Sequence, residues 1–393
     1  MTHFIISNTN HKVMFGPVDT EWVLVRFRTA LRLVLVVALV TVVAACGISG
    51  SNSNSKGGGP KIGFVYVSPL PGSAWSRSWD ETRKDLEQEF DAQTTVVQPI
   101  PENPDVISTL QDLIRKGNKL IFTTAFGYQP FVLQVAKDNP DVNFVVIGPW
   151  AQEEERPANV SSVAGNLWEA RYLTGIVAGS MTKSKVLGFV SAFGIPAVVS
   201  GIDAFQLGAQ SVDPAIRTKV VFTSNWYNPP QSTQAAETLA RNGADVIAQH
   251  EDSIGPLLGA QSAGIHGIGS ESDTSDQAPK AYLTGTVWDW TKYASRKVQE
   301  TLDGNYKNDE FDGGLADGLV TLGRFSDAVP QDVIDKVEQA RKDLVAGKLV
   351  IFKGPLMSNT GKEILAPGEE LRDPAEIKAR IIDLIEGTIG KVQ

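Results

Sequence analysis

Short apolar runs alternate with amphipathic stretches along this chain from Lys61 onward. Four runs have the length and apolar content of buried strands, namely KIGFVYV at 61–67, TTVVQPI at 94–100, KLIFTTA at 119–125 and VNFVVIG at 142–148. The stretches between them have helical spacing, near 76–90, 104–116 and 128–138. Strands and helices that alternate in this way indicate βαβ units and a parallel sheet.

A second series of strands repeats this pattern. Its apolar runs are VLGFVSA at 186–192, KVVFTS at 219–224, DVIAQ at 245–249 and GIHGIG at 264–269, and YLTGTVWDW at 282–290 begins a return crossing. We therefore predict an α/β protein with two similar lobes. Because ligands of open parallel sheets bind beyond the carboxyl ends of the strands, we expect function to lie in the loops that follow them.

The last residues of the chain predict a helix. Ile377, Ile381, Ile382 and Ile385 mark one apolar face between residues 373 and 393. We expect a single amphipathic helix there that packs against the body of the protein and has no part in function.

The first 45 residues have the pattern of a targeting segment. Arg26, Arg28 and Arg32 precede an apolar run over 33–45 that is too short to span a membrane but suits a signal peptide. The run ends in VAACG, which resembles the lipobox of bacterial lipoproteins and implies a diacylated Cys46 on the extracytoplasmic face of the cell membrane. The alternative is that Cys46 is an unmodified cysteine buried in the protein. The basic region lies far from Met1, so we expect a true start nearer Met14.

Composition and charge exclude several classes of protein. Lys and Arg number 36 against 45 Asp and Glu, a net charge of -9 that disfavours binding to nucleic acid. Cys46 is the one cysteine, and His250 and His266 are the histidines beyond residue 45, which leaves neither disulfides nor a His-rich zinc site. The segment beyond residue 45 lacks phosphate-loop, zinc-protease and serine-hydrolase motifs, so we expect no cofactor, and His250 is the one residue that keeps an enzyme hypothesis open.

Aromatic residues are common in the loops that follow the predicted strands. They include Trp75, Phe126, Tyr128, Phe193, Trp226, Tyr227, Trp288 and Trp290. Aromatic faces suit a flat ligand, and the acidic and amide groups that accompany them, Glu169, Asn228, Asp252 and Asp273, can accept or donate hydrogen bonds at its edge. A phosphate-bearing ligand would call for Arg or Lys instead. The alternative for each ring is a place in the core, and for each polar group a helix cap.

Several long motifs resemble one family. They are GFVYVSPLPGSAWSRSWDETRKDLE, GNKLIFTTAFGYQPFVLQVAKDNPDVNF, EARYLTGIVAGSMTKSKVLGFVSAFGIPAVVSGIDAFQLGAQSVDP, NWYNPPQSTQAAETLARNGADVIAQHEDS and GIGSESD. Together they resemble the basic membrane protein family, also called the PnrA-like lipoproteins, over residues 60 to 360. These are substrate-binding lipoproteins of ABC transporters that import purines and nucleosides. The resemblance implies a type I periplasmic-binding-protein fold, with two Rossmann-like lobes and a ligand cleft between them.

The resemblance also assigns residues. It implies that Trp75 and Trp226 stack on the ligand from opposite lobes, that Phe193 lines the same cleft, and that Asp273 binds ribose hydroxyls. Glu169 occupies the position of the family glutamate, and Phe126 belongs to the FGY motif of a branch that resembles binders of a free base such as adenine. Three positions depart from the family pattern and concern the ligand rather than the class: Trp79, Asn228 and the pair Trp288-Asp289.

These inferences combine into one expected organisation. We expect a signal peptide over 1–45, a flexible linker over 46–59, a first lobe of 60–165 with 286–325, a second lobe of 166–285 with 326–360, and a C-terminal extension over 361–393. The expected protein is a monomeric, lipid-anchored receptor that delivers a purine base or nucleoside to ABC permease and ATPase subunits. The alternatives are a receptor for a pyrimidine nucleoside or sugar, an enzyme that uses His250, and a signalling or adhesion lipoprotein.

Overall fold

A computed structural model describes residues 58–392 of the chain. Its first sheet consists of β1 (Lys61–Val65), β2 (Gln93–Val97), β3 (Leu120–Thr123), β4 (Asn143–Ile147), β5 (Val160–Gly165) and β11 (Glu310–Gly313). These six strands are all parallel and lie in the order β11-β5-β4-β3-β1-β2. We call this sheet and the helices packed on it the first lobe.

The second lobe is built on a seven-stranded sheet. Its strands are β6 (Val186–Ser191), β7 (Arg217–Phe222), β8 (Val246–His250), β9 (His266–Gly269), β10 (Tyr282–Trp288), β12 (Val320–Leu322) and β17 (Thr388–Ile389). They lie in the order β12-β10-β9-β8-β6-β7-β17, and all pairs are parallel except β12 with β10. Four short strands form two further pairs, β13 (Phe352–Lys353) with β16 (Glu370–Leu371) and β14 (Leu356–Met357) with β15 (Glu363–Leu365).

Helices connect the strands of both lobes. They are α1 (Ala74–Phe90), α2 (Asp105–Arg115), α3 (Gln129–Asp138), α4 (Leu167–Met181), α5 (Pro196–Gln210), α6 (Pro229–Arg241), α7 (Gly255–Ser262), α8 (Thr291–Leu302), α9 (Gln331–Val345) and α10 (Pro374–Arg380). At the start of α1, the Ser73 hydroxyl accepts a hydrogen bond from the Ser76 amide at 3.1 Å, which satisfies one free N–H of the first turn. Trp79 and Leu86 then face the core of the first lobe.

The chain crosses between the lobes more than once. After β10 of the second sheet, α8 packs against α1 of the first lobe, and β11 joins the first sheet beside β5. The chain then returns to pair β12 with β10. Residues on either side of these crossings can therefore belong to one functional site.

The structure confirms the alternating strands and the two α/β lobes, with element ends shifted by a few residues from the predicted ones. The predicted helix over 373–393 is wrong, because α10 ends at Arg380 and the chain then turns into β17. Ile385 lies in this turn, and its amide donates to the buried carboxyl group of Asp203 at 3.1 Å, a tertiary contact that a continuous helix would not form.

Two observations concern the membrane. None of the helices in the described part of the chain is long and apolar enough to span a bilayer. The predicted signal peptide and the lipidation site at Cys46 lie outside the described residues.

Candidate functional site

Loops that follow the carboxyl ends of β1, β7 and β8 meet between the lobes. The amide of Ala74, the first residue of α1, donates to the Asp252 carbonyl at 2.7 Å. The amide of Ile254 donates to the Gly72 carbonyl at 3.2 Å, so the backbones of the two lobes are joined at two points. We call this contact the seam; it comprises residues 68–77 of the first lobe and residues 226–228, 252–254 and 276 of the second.

Side-chain contacts also cross the seam. The Tyr227 hydroxyl donates to the Pro71 carbonyl at 2.8 Å. Arg77 forms an ion pair with Asp276 at 2.9 Å at the rim of the seam. The Arg77 side chain is half-buried, and the Asp276 side chain is exposed. The described structure therefore holds the two lobes in direct contact at the carboxyl ends of their strands.

Trp75 belongs to a cluster of four indoles, which we call the indole cluster: Trp75, Trp79, Trp288 and Trp290. Trp79 stacks on Trp290 with 4.5 Å between the ring centroids, and Trp288 also stacks on Trp290, with 4.7 Å between the centroids. Trp75 meets Trp288 and Trp290 edge to face, at 6.2 and 5.6 Å. Its indole N–H donates to the Thr124 carbonyl at 2.7 Å, so the ring of this half-buried side chain is fixed by packing and by a hydrogen bond.

Trp226 lies on the second lobe, in a smaller aromatic group. Its ring meets Phe193 edge to face at 5.4 Å and His250 at 6.2 Å. Phe193 remains 37% exposed. The Trp226 carbonyl accepts a hydrogen bond from the Asp252 amide at 3.0 Å, which ties this ring to the seam. The structure thus brings Phe193 and Trp226 together, and Trp75 lies one residue beyond Ala74, which bonds to the same residue 252.

Asp252 carries a buried carboxyl group at the seam. Ser68 of the first lobe donates its hydroxyl to Oδ2 at 2.6 Å. Burial raises the pKa of Asp252, the hydrogen bond from Ser68 lowers it, and the nearby carboxylates of Glu271, Glu102 and Glu251 raise it; together these effects bring it to about 8. Near neutral pH, this group is therefore mainly a neutral acid that can donate one hydrogen bond as well as accept others.

Buried ionisable side chains lie close to the aromatic group of Trp226 and Phe193. Glu271 accepts hydrogen bonds from the hydroxyl of Ser270 at 2.5 Å and from the indole N–H of Trp288. Arg171, fully buried, donates to Ser270 at 2.6 Å and lies 3.7 Å from Glu271. The His250 ring is 3.9 Å from the same carboxylate, and burial with the Arg171 charge lowers the pKa of His250 well below its usual value. The chain from Arg171 through Glu271 to Trp288 links the second lobe to the indole cluster.

Glu169 and Asp273 are engaged by protein groups. Glu169, in the first turn of α4, accepts from the Leu315 amide at 2.7 Å, and burial raises its pKa. Asp273 accepts from the Ser275 amide at 3.0 Å and from the Arg324 amide at 3.3 Å, and the Arg324 guanidinium lies 3.3 Å away. None of these contacts links Glu169 or Asp273 to Trp75 or Trp226.

Phe126 lies toward the periphery, and Asn228 caps a helix. Phe126, in the short turn after β3, is 52% exposed, and its ring packs close to Gly148. Asn228 caps α6, since its side-chain oxygen accepts from the Gln231 amide at 3.4 Å. This is the helix-cap role that was the alternative to a ligand contact for Asn228.

Sequence reasoning left out several residues that the structure brings to this region. Ser68, Arg171 and Glu271 were not candidates. Trp288 and Trp290 were noted as loop aromatics, and Trp288 also as a departure from the family pattern. One signal could have paired the two indoles: residues two apart at the end of a strand share a face, and Trp288 and Trp290 have that spacing. Nothing in the pattern around Arg171, on a helix apolar on all sides, marks it as a partner of Glu271.

Two observations concern metal binding and catalysis. Within residues 58–392, no three His, Cys, Asp or Glu side chains are grouped to hold a metal ion. The carboxylate nearest to His250 is beyond hydrogen-bond distance at 3.9 Å, and Nδ1 of this histidine has no hydrogen-bond partner among the described residues. The geometry is that of a polar and aromatic binding surface.

Comparison with known proteins identifies the class. The sequence profile of the family described as ABC transporter substrate-binding protein PnrA-like matches residues 60–353, so the chain belongs to this family of ABC transporter substrate-binding proteins. A purine-binding protein of Brucella abortus (strain 2308) is 35% identical over 315 residues, 80% of this chain and 89% of that protein. A candidate ABC transporter glucose-binding protein of Haloferax volcanii is 30% identical over 323 residues, 81% of this chain and 82% of that protein.

A solved structure agrees with the fold. An ABC transporter solute-binding protein from Conexibacter woesei superposes with a TM-score of 0.64 at 21% identity, covering 74% of this chain and 97% of that chain. The two-lobed α/β architecture of the described residues is therefore the type I periplasmic-binding-protein fold that the sequence motifs predicted. Members of this family bind solutes for transport.

Proposed function

We propose that this chain is the extracytoplasmic receptor of an ABC importer and captures a purine base or purine nucleoside at the seam. The observation that carries the proposal is the double backbone link through Asp252, whose carbonyl binds the start of α1 beside Trp75 and whose amide binds the Trp226 carbonyl. Two indoles held by one connecting residue, on opposite lobes, provide the surfaces that a flat heterocycle needs. The purine-binding relative from Brucella abortus supports the ligand class.

The proposed binding mode divides into stacking and edge recognition. Trp75 and Trp226 supply the aromatic faces, Phe193 extends the second of them, and buried polar groups such as Asp252 read the ring edge. Base stacking on an aromatic side chain contributes about 1–3 kcal/mol per base. Glu169, Asp273 and Phe126 remain proposed contacts of lesser weight, because the first two already bind protein groups and the third is peripheral.

Calorimetry with ligand-free protein tests this function. We expect adenine or a purine nucleoside to bind more tightly than cytidine or glucose, and Trp75→Ala and Trp226→Ala to weaken that binding by about 1–3 kcal/mol each. Trp150→Ala is the matched control, because Trp150 packs on the hydrophobic cluster of the other face of the first sheet. Binding of glucose without purine, or equal losses in all three variants, would contradict the proposal.

The proposed location rests on the sequence motif at Cys46. An acylated Cys46 would tether the body through the polar linker 46–59 on the outer face of the cell membrane, beside permease and ATPase subunits, with the receptor a monomer. We expect Cys46→Ser to move the protein from the membrane fraction to the soluble fraction and to abolish labelling by a fatty-acid analogue. Unchanged membrane retention and labelling would exclude this anchor.

A further inference from the structure

One carboxyl group at the seam differs from its neighbours in its hydrogen bonds. Asp273, Glu271 and Glu251 have both carboxyl oxygens bonded to protein donors. Asp252 is 8% exposed, and its Oδ2 accepts from Ser68, but Oδ1 receives no hydrogen bond from residues 58–392. Oδ1 therefore keeps its hydrogen-bonding capacity free, and its position at the seam points to a ligand that completes it.

The surroundings of Asp252 favour its uncharged form. The ionisable groups that face it are Glu251 on its own loop, Glu271 after β9, Glu102 and Tyr128 of the first lobe, and Tyr227 of the second. All of these are acidic groups, and none supplies a positive charge to stabilise a carboxylate. Burial adds to this effect and brings the pKa of Asp252 to about 8.

Resting on the proposed function, we infer that Asp252 binds the ligand as a neutral carboxyl group and selects a free base whose edge carries a hydrogen-bond donor beside an acceptor. The amino group and adjacent ring nitrogen of a 6-aminopurine form such an edge. The Oδ1 hydroxyl donates to the ring nitrogen, and Oδ2, which already accepts from Ser68, accepts from the amino group through its second lone pair.

The engaged carboxylates favour a free base over a nucleoside. A ribose would be recognised by carboxylate oxygens that accept from its hydroxyl groups. Asp273, the residue that the sequence motif assigns to this role, has its oxygens occupied by Ser275 and Arg324. Binding a ribose there would first require breaking these bonds, whereas Oδ1 of Asp252 is available without any such loss.

The test is calorimetry of adenine binding between pH 6 and pH 9, where adenine itself stays neutral. In the wild-type protein, we expect affinity to be level at low pH and to fall roughly fivefold between pH 8 and pH 9, as Asp252 ionises and loses its donor. Asp252→Asn keeps one donor and one acceptor, so we expect it to bind adenine within about threefold of wild type at pH 6 and to lose the pH dependence. Asp252→Ala removes both groups, and we expect a loss of about tenfold or more.

Asp138→Asn is the matched control, because Asp138 is exposed at the end of α3, away from the carboxyl ends of the strands. It should keep both the affinity and the pH profile of the wild type. A wild-type affinity that is constant from pH 6 to pH 9, a loss of more than tenfold in Asp252→Asn at pH 6, or adenosine binding at least tenfold tighter than adenine would each overturn the inference. Those results leave the proposed function standing, whereas failure to bind any purine at pH 6 would remove both.

Discussion

The two sides of the seam are built differently, although each presents an indole. On the first lobe, Trp75 rests against three other indoles, and the two most deeply buried, Trp79 and Trp290, are at most 1% exposed. On the second lobe, Trp226 contacts only Phe193 and the His250 ring among aromatic side chains in the described residues, and Phe193 is 37% exposed. Both indoles are partly buried against the hydrophobic core of their own lobe, but Trp75 has three indole neighbours, whereas Trp226 has a partly exposed phenyl ring and an imidazole.

This difference predicts a division of roles. A close-packed cluster has few alternative arrangements, so the indole cluster holds the Trp75 face in one position whether or not ligand is bound. Trp226 has fewer aromatic neighbours and one of them, Phe193, is 37% exposed, so we expect Trp226 and Phe193 to be the faces that adapt to the ligand. In this view the first lobe provides the template, and the second lobe closes on it.

The largest expected effect concerns the stability of the indole cluster. Trp290 stacks on Trp79 and on Trp288, so Trp290→Ala leaves a cavity in the core of the first lobe. We expect the free energy of unfolding to fall by about 3–5 kcal/mol. Phe193→Ala on the second side should cost less than about 1 kcal/mol, because much of that ring is already in solvent.

Urea unfolding followed by far-ultraviolet circular dichroism measures both variants without relying on the tryptophan signal that one of them removes. Weaker purine binding by Phe193→Ala, with a stability near that of the wild type, would support the division of roles between the two sides. Similar losses of stability in the two variants would mean that the two sides are equally part of the core, and the division of roles would fail.

Much of the fold follows from the sequence, since parallel strands buried on both faces appear as continuous apolar runs. β11, with the sequence EFDG, and the two-residue β17 carry no such signal, because they become strands only through pairing with β5 and β7. The C-terminal isoleucines suggested a helix of full length. Ile377, Ile381 and Ile385 are indeed buried, but tertiary contacts, and a φ of +100° at Gly387, take the chain out of the helix.

The candidate site was less predictable than the fold. Trp75, Trp226 and Asp252 follow strands of the two lobes, so the rule for open parallel sheets makes them candidates. That rule does not tell which carboxyl groups are already engaged by the protein. Asp273 and Asp252 look alike in the sequence, and only the positions of Arg324 and Ser68, 51 and 184 residues away respectively, distinguish them.

The smallest expected effect concerns the rim, where Arg77 forms two ion pairs that differ only in whether they cross the seam. Asp276, at 2.9 Å, belongs to the second lobe, and Glu81, at 3.0 Å, lies one turn along the same helix. Because exposed pairs contribute less than about 1 kcal/mol, we expect Asp276→Ala to speed adenine release by up to about fivefold in stopped-flow measurements at low salt. Glu81→Ala should leave the release rate unchanged, and the effect of Asp276→Ala should shrink in high salt, where the pair is screened. Equal rates in the two variants would mean that the cross-seam pair does not help to hold the lobes together. Closure would then depend on the other bonds across the seam, those of the backbone at Asp252 and Gly72 and those of the Tyr227 and Ser68 hydroxyls.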